Sequence, residues 1–343
     1  MISNEDNPSC PEDNRQLDGR CIYHTKLTIS GTGPFSFTNT DFLRCSNSGN
    51  GGAILFRNQA SGTLTVSHCT FNSCTCNLPG GEQDGNGGGA IYAKFVSKVE
   101  VFSSFFLSCA CYSLTLCDGG GIELYYILSQ PLINECTFAF GHADDDGGGV
   151  AIWNSNADDP LICKDSFFLN CECGEGGGGG GLAMWLNTAT FKCANILFSC
   201  NQATTGGACS TDCQHSDPNF LLWFCFFNRN TGRYGNDACF CYQPSNSPSK
   251  HCFSTSDQNR IAFYSGSSWY TTEVNWLPQT NINTSLIATI FEPRYSLFVL
   301  SAHTSIINDP ILSQLDGIST RMWNVHHCME STIILSMLFC VQA

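Results

Sequence analysis

The sequence predicts an all-β chain wound as a single-stranded parallel β-helix, about seven coils of about 30 residues each. Three observations carry that expectation. Glycine-rich stretches that turn apolar recur along the chain. A second short motif recurs between them. The residues after the glycines alternate with a period of two instead of 3.6.

The glycine motif stands as GNGGAILF from residue 49, GNGGGAIYA from 85, DGGGIELYY from 118, DGGGVAIW from 146, GGGLAMW from 179 and TGGACS from 205. The second motif sets an aromatic three residues before a cysteine: Phe42 with Cys45, Phe71 with Cys74, Phe106 with Cys109, and Phe168 with Cys171. Weaker copies are Phe138 with Gly141, Leu197 with Cys200, and Phe227 with Asn230. Their first members are 29, 35, 32, 30, 29 and 30 residues apart. A fixed period of this length marks a solenoid or a propeller, and propeller blades need 40 or more residues. Thirty residues suit one coil of short strands.

Aligned on the last glycine, the next residue is Ala53, Ala90, Ile122, Val150 and Leu182, and the third is Leu55, Tyr92, Leu124, Ile152 and Met184. Both columns are apolar and are expected inward. The second column admits Glu123 and is expected outward. The fourth shares its parity. It contains Phe56, Tyr125, Trp153 and Trp185, an expected external aromatic strip able to stack on sugar rings or anchor a partner. A phosphate-cradling reading of the six-glycine run, residues 176–181, fails because no Lys-Ser/Thr follows it.

The chain holds 23 cysteines in 343 residues. Cys45, Cys74, Cys109, Cys171 and Cys200 are expected to form a structural ladder on equivalent positions of the coils, with Cys76, Cys111 and Cys173 in a second column. Strand spacing of about 4.8 Å suits the Cα separation of a disulfide but leaves the Cβ atoms slightly far apart. Disulfide staples and a stack of buried thiols both remain open. This cysteine usage favours an oxidising compartment, although MISNEDNPSCPEDNRQ has neither the basic nor the apolar region of a secretory signal.

Net charge is -14, which excludes a basic nucleic-acid footprint. The best apolar run, TIILSMLFCV at 332–341, is half of what a spanning helix needs, so no transmembrane helix is expected. No cofactor or metal is expected either. Cys209, Cys213 and His215 lack paired CxxC spacing, as do His326, His327 and Cys328. Asp144–Asp146 and Asp158–Asp159 read as solvated corners. Fragments such as Asn39-Thr40-Asp41 and Gly141-His142 resemble polygalacturonase motifs, but no Arg-x-Lys completes them, and catalysis is not expected. Residues 1–34 read as a cap, 35–241 as the repeat domain, and 242–343, after the break QPSNSPS, as irregular β carrying one sequon at Asn283.

GGAI at Gly51–Ile54 and Gly88–Ile91, with Phe-x-x-Asn at Phe227–Asn230, resembles the repeats of the polymorphic membrane proteins of chlamydiae and trichomonads. The resemblance covers roughly residues 35–241, with cysteine replacing the asparagine elsewhere. It implies a right-handed β-helix at the cell surface or outside the cell, adhesin-like, with a host-cell surface protein or glycan as partner. Two other readings stand beside it: a polysaccharide-acting enzyme, and a structural or non-functional fragment of a larger surface protein.

Overall fold

Left-handed residues turn the chain at fixed places in every coil. In the computed structural model, Gly51, Gly88, Gly119, Gly147, Gly179 and Gly206 have φ between 59° and 69°. A second glycine follows each. A Cβ on Gly148 would strike the main chain of Glu172 and Gly180, and one on Gly52 the carbonyl of Gly89. The first glycine supplies the dihedral and the second supplies room. These six corners bound five complete turns, and the strand stacks continue past them at both ends. Two further columns turn without glycine. Asn39, His68, Ser103, Glu135, Asp165 and Asn195 form one; Arg44, Ser73, Ser108, Phe140, Asn170, Cys200 and Arg229 form the other.

The structure describes residues 20–273 apart from 30–32, 79–86, 114–115, 154–160, 187–190, 214–219, 235, 243–248, 254–259 and 266–267. The chain divides into two compact units, Met1–Asn275 and Trp276–Ala343, and all described residues lie in the first. Asp158–Asp159, His215, the sequon at Asn283, His326–Cys328 and the run 332–341 lie outside the described residues.

The strands stack in parallel, coil upon coil, into a β-solenoid without helices among the described residues. One sheet of seven short strands runs from Ser46–Asn47 through Thr75–Leu78, Ala110–Ser113, His142–Ala143, Glu172–Cys173 and Gln202–Thr205 to Thr231–Tyr234. The remaining strands join one larger sheet. Parallel pairing already begins at Cys21–Tyr23, inside the stretch expected as a cap. It ends at Ala238–Tyr242. There Ser249–Phe253 and Arg260–Ser265 add antiparallel to the last coil, and Ser268–Glu273 adds to Arg260–Ser265. The change of direction follows QPSNSPS. An antiparallel hairpin covers strand edges that a bare solenoid end would expose.

The core is a set of ladders. Tyr23, Phe42, Phe71, Phe106, Phe138, Phe168, Phe198 and Phe227 stack ring on ring, with centroids 4.7–5.3 Å apart and planes within 17°. All eight are buried. Three residues on, most coils place a donor beneath the ring; after Phe138 that position is Gly141, which has none. The thiols of Cys45, Cys74, Cys109 and Cys171 donate to the carbonyls of Tyr23, Phe42, Phe71 and Phe138 at 3.4–3.5 Å. Asn201 and Asn230 donate Nδ2 to the carbonyls of Phe168 and Phe198 at 3.0 and 3.1 Å. Cysteine thus performs the donor half of an asparagine ladder. Asparagine alone also accepts: Asn201 Oδ1 takes the Cys171 N–H, and Asn230 Oδ1 takes that of Asn201.

Cys200 does not belong to this ladder. Phe168 pairs with Phe198, so the ladder residue is Asn201, and Cys200 is the half-buried left-handed corner before it. The sequence offers two overlapping pairs, Leu197/Cys200 and Phe198/Asn201, and the ring stack selects the second. The other four predicted ladder cysteines are free buried thiols. Burial pushes the Cys171 thiol up to about 12.

Candidate functional site

Register decides which side chains leave the core. Ile54 pairs with Ile91, and Ile91 with Ile122. Ala53 and Ala90 therefore match Gly121, not Ile122. Alignment on the last glycine slips the first two coils by one residue, and one residue turns every side chain to the other face. Phe56 is consequently fully buried in the core, not outward as expected. The outward column is Arg57, Lys94, Tyr125, Trp153, Trp185.

Within that column Tyr125, Trp153 and Trp185 are half-buried and successive. The two indoles stack 4.5 Å apart at 14°, and Tyr125 lies 6.5 Å from Trp153. Lys94 Nζ sits 4.5 Å over the Tyr125 ring. Phe95, 41 % exposed, and Tyr126 stack on each other at 5.0 Å and widen the patch. Both hold left-handed φ. Sequence alternation misses them, because an irregular residue breaks the parity.

Beneath the strip lies a second buried compartment, outside the apolar core. The column paired with Glu123 runs Leu55, Tyr92, Glu123, Ala151, Ala183, Ser210. Glu123, Ala151 and Ala183 are expected outward, whereas Leu55 and Tyr92, expected inward, join them through the same one-residue slip. The column is turned from the core, yet the glycine corners cover it: Glu123 is fully buried. Both of its carboxylate oxygens lack a hydrogen-bond partner. Burial, then the charge of Asp118, raises its pKa well above the carboxylate range.

Asp118, Asp145 and Asp146 place one carboxylate oxygen each within 4.8 Å of one another. Asp118 and Asp146 are 2 % and 7 % exposed, so Asp146 is buried, not solvated as expected, while Asp144 and Asp145 are half-buried. Asp146 accepts the Gly178 N–H at 2.6 Å and the Trp185 indole N–H at 3.0 Å, which ties the strip to the compartment. Asp118 accepts the Asp146 N–H at 3.0 Å. Desolvation and the two neighbouring aspartates nevertheless push Asp118 upward. The Trp153 indole N–H favours its charged form without reaching hydrogen-bond geometry. Cys76, Cys111 and Cys117 complete the compartment, with sulfurs mutually within 4.8 Å and a disulfide between Cys111 and Cys117.

The polygalacturonase-like fragments do not converge on this place. Asp41 is held in a bidentate ion pair by Arg20. His142 lies in the seven-stranded sheet, 3.0 Å from Asp144 and 3.1 Å from Glu172.

No helix of the described residues is long and apolar enough to cross a membrane. No family model matches the chain, and no curated protein or solved structure matches it.

Proposed function

We propose that this chain is a non-catalytic, surface-associated β-helix of the polymorphic membrane protein type that presents an aromatic strip to a host-cell surface protein or glycan. The stack of Tyr125, Trp153 and Trp185, flanked by Lys94 and Phe95, carries the reading. Aromatic rings in a row with a cation at one end hold large contact area at small conformational cost. Stacked on one another, they present edges outward and suit apolar side groups or the C–H faces of sugars. The GGAI and Phe-x-x-Asn repeats support the family, and the cysteine usage supports an exported location.

Tyr125→Ser with Trp153→Ala tests the strip. Glycan-array and cell-binding signals are expected to fall at least tenfold, with unchanged circular dichroism. Trp185→Ala is a poorer probe alone, because it also removes a donor to Asp146. Undiminished binding by a folded double variant sinks the proposal.

One observation favours a second reading, a polysaccharide-acting enzyme: the convergence of Asp118, Asp145 and Asp146. Acid–base cleavage of a glycoside uses two carboxyl groups at about 5–10 Å. Asp145, the most exposed of the three, is its test. Acidic polysaccharide cleavage abolished by Asp145→Asn would replace the binding role with catalysis.

A further inference from the structure

We propose that Cys76, Cys111, Cys117 and Glu123 form a soft divalent-cation site, of the zinc class, that assembles when the Cys111–Cys117 disulfide is reduced.

Four observations support it. Cys76 and Cys111 are direct partners on adjacent parallel strands, and their sulfurs lie 3.5 Å apart. A strand spacing of about 4.8 Å is long for a relaxed bridge between stacked cysteines. It suits two thiolates on one ion, because zinc–sulfur bonds of about 2.3 Å in a tetrahedron separate the sulfurs by nearly 4 Å. Cys117 brings the third sulfur from the glycine corner. All three sit in a small buried cluster of their own, apart from the main apolar core.

Glu123 supplies the fourth donor. Its carboxylate lies against Gly87, where a Cβ would collide with it, and its charge acts on Cys76. Neither oxygen has a hydrogen-bond partner. A fully buried carboxylate without a donor is costly unless it is protonated or meets a cation. Lys26 acts on Cys76 and Lys94 on Glu123, so two cations temper the excess negative charge of a three-thiolate, one-carboxylate site.

The chemistry balances with a small-molecule thiol as reductant. Two reductant thiols give two electrons and two protons to the Cys111–Cys117 bond and leave as their own disulfide. The cation then displaces the three cysteine protons, and the Glu123 proton where one is carried. A small-molecule disulfide takes two electrons from the Cys111 and Cys117 thiolates, leaves as two thiols after taking up two protons, and so returns the Cys111–Cys117 bond and releases the metal. The same atoms therefore hold either an intracoil crosslink or an ion bridging two coils. This inference is independent of the aromatic strip.

The test uses the full chain, reduced with a phosphine, desalted without oxygen and titrated with Zn2+ against a chromophoric chelator. One equivalent is expected to bind tightly in the reduced protein and none in the oxidised protein. Cd2+ should give sulfur-to-metal charge-transfer absorption for three thiolates. Cys117→Ser and Cys76→Ser should lose the site. Glu123→Gln should weaken it by at least the 10- to 100-fold, roughly, that even an outer-shell change costs. Cys109→Ser, in the core ladder, should keep it. Should these variants fail to fold, alkylation of the wild type read by mass decides. Zinc must protect Cys76, Cys111 and Cys117 together. Protection at other cysteines, at none, or survival of binding in Cys76→Ser with Cys117→Ser overturns the proposal.

Discussion

The apolar core and the second compartment stand on opposite faces of the same glycine-led strands, and they solve burial in opposite ways. In the core, Ile54, Ile91, Ile122, Val150 and Leu182 stack with the ring ladder, and every thiol beneath a ring has a carbonyl to donate to. In the compartment, Glu123 lacks any hydrogen-bond partner, and three aspartates crowd together. One face satisfies its groups internally; the other holds charge that something else must neutralise. A buried polar network that is only partly satisfied opposes folding, so the compartment carries a stability cost that the core does not.

The largest effect should come from the core. Phe138→Ala removes the middle of the ring ladder and should cost about 3–5 kcal/mol. A shift of the urea midpoint measures this. A change under 1 kcal/mol would mean that the rings pack without mutual support.

Titration should separate the two faces next. Burial raises Glu123, so its folded pKa exceeds its unfolded one. Its contribution to folding is full below the unfolded value, near 4, and is lost as pH rises through the folded value. Glu123→Gln should therefore gain stability over the wild type progressively from pH 4 to 7, in metal-free oxidised protein. A pH-independent difference would mean the carboxylate already has a compensating partner. On the core face, Cys69 is pushed up to about 11, and Cys136 and Cys171 to about 12, by burial. Reduced protein should lose stability as pH rises above about 9, where the unfolded thiols ionise first.

A smaller effect tests the ladder exchange. Cys171→Ala deletes one thiol donor and should cost about 1 kcal/mol. Cys171→Asn should recover at least that much, since Phe138 O would regain a donor as Phe168 O has from Asn201. If Asn is worse than Ala, the thiol is retained for its volume.

The smallest effect lies at the corners. Ser73 and Ser108 hold φ of 54° and 51°. Glycine there relieves left-handed strain of about 1–2 kcal/mol but loosens the unfolded chain, for a net gain below about 1 kcal/mol. A free-thiol count by mass, before and after reduction, complements all four. The ladder cysteines should titrate as free on unfolding, and Cys111 with Cys117 only after reduction.

The repeat itself was legible in the residues. Glycine pairs, the Phe-x-x-Cys/Asn spacing and period-two alternation are local consequences of one coil geometry, so they survive in the linear order. The β-solenoid and the internal phenylalanine stack follow from them directly, whereas the choice between disulfide staples and free thiols in the cysteine ladder was made only by the structure. Register did not survive, because the third corner position accepts Ala53 as well as Gly121, and residues alone cannot tell a shifted copy from an aligned one. Only coil-to-coil hydrogen bonding placed Phe56 inside, Arg57 outside, and Asn201 instead of Cys200 in the ladder. The compartment was hidden for a different reason. Cys76, Cys117, Glu123 and Asp146 come from three coils and two kinds of element. A solenoid brings such residues together through its winding, at separations that follow no motif, and burial of a charged side chain is a property of what is stacked over it.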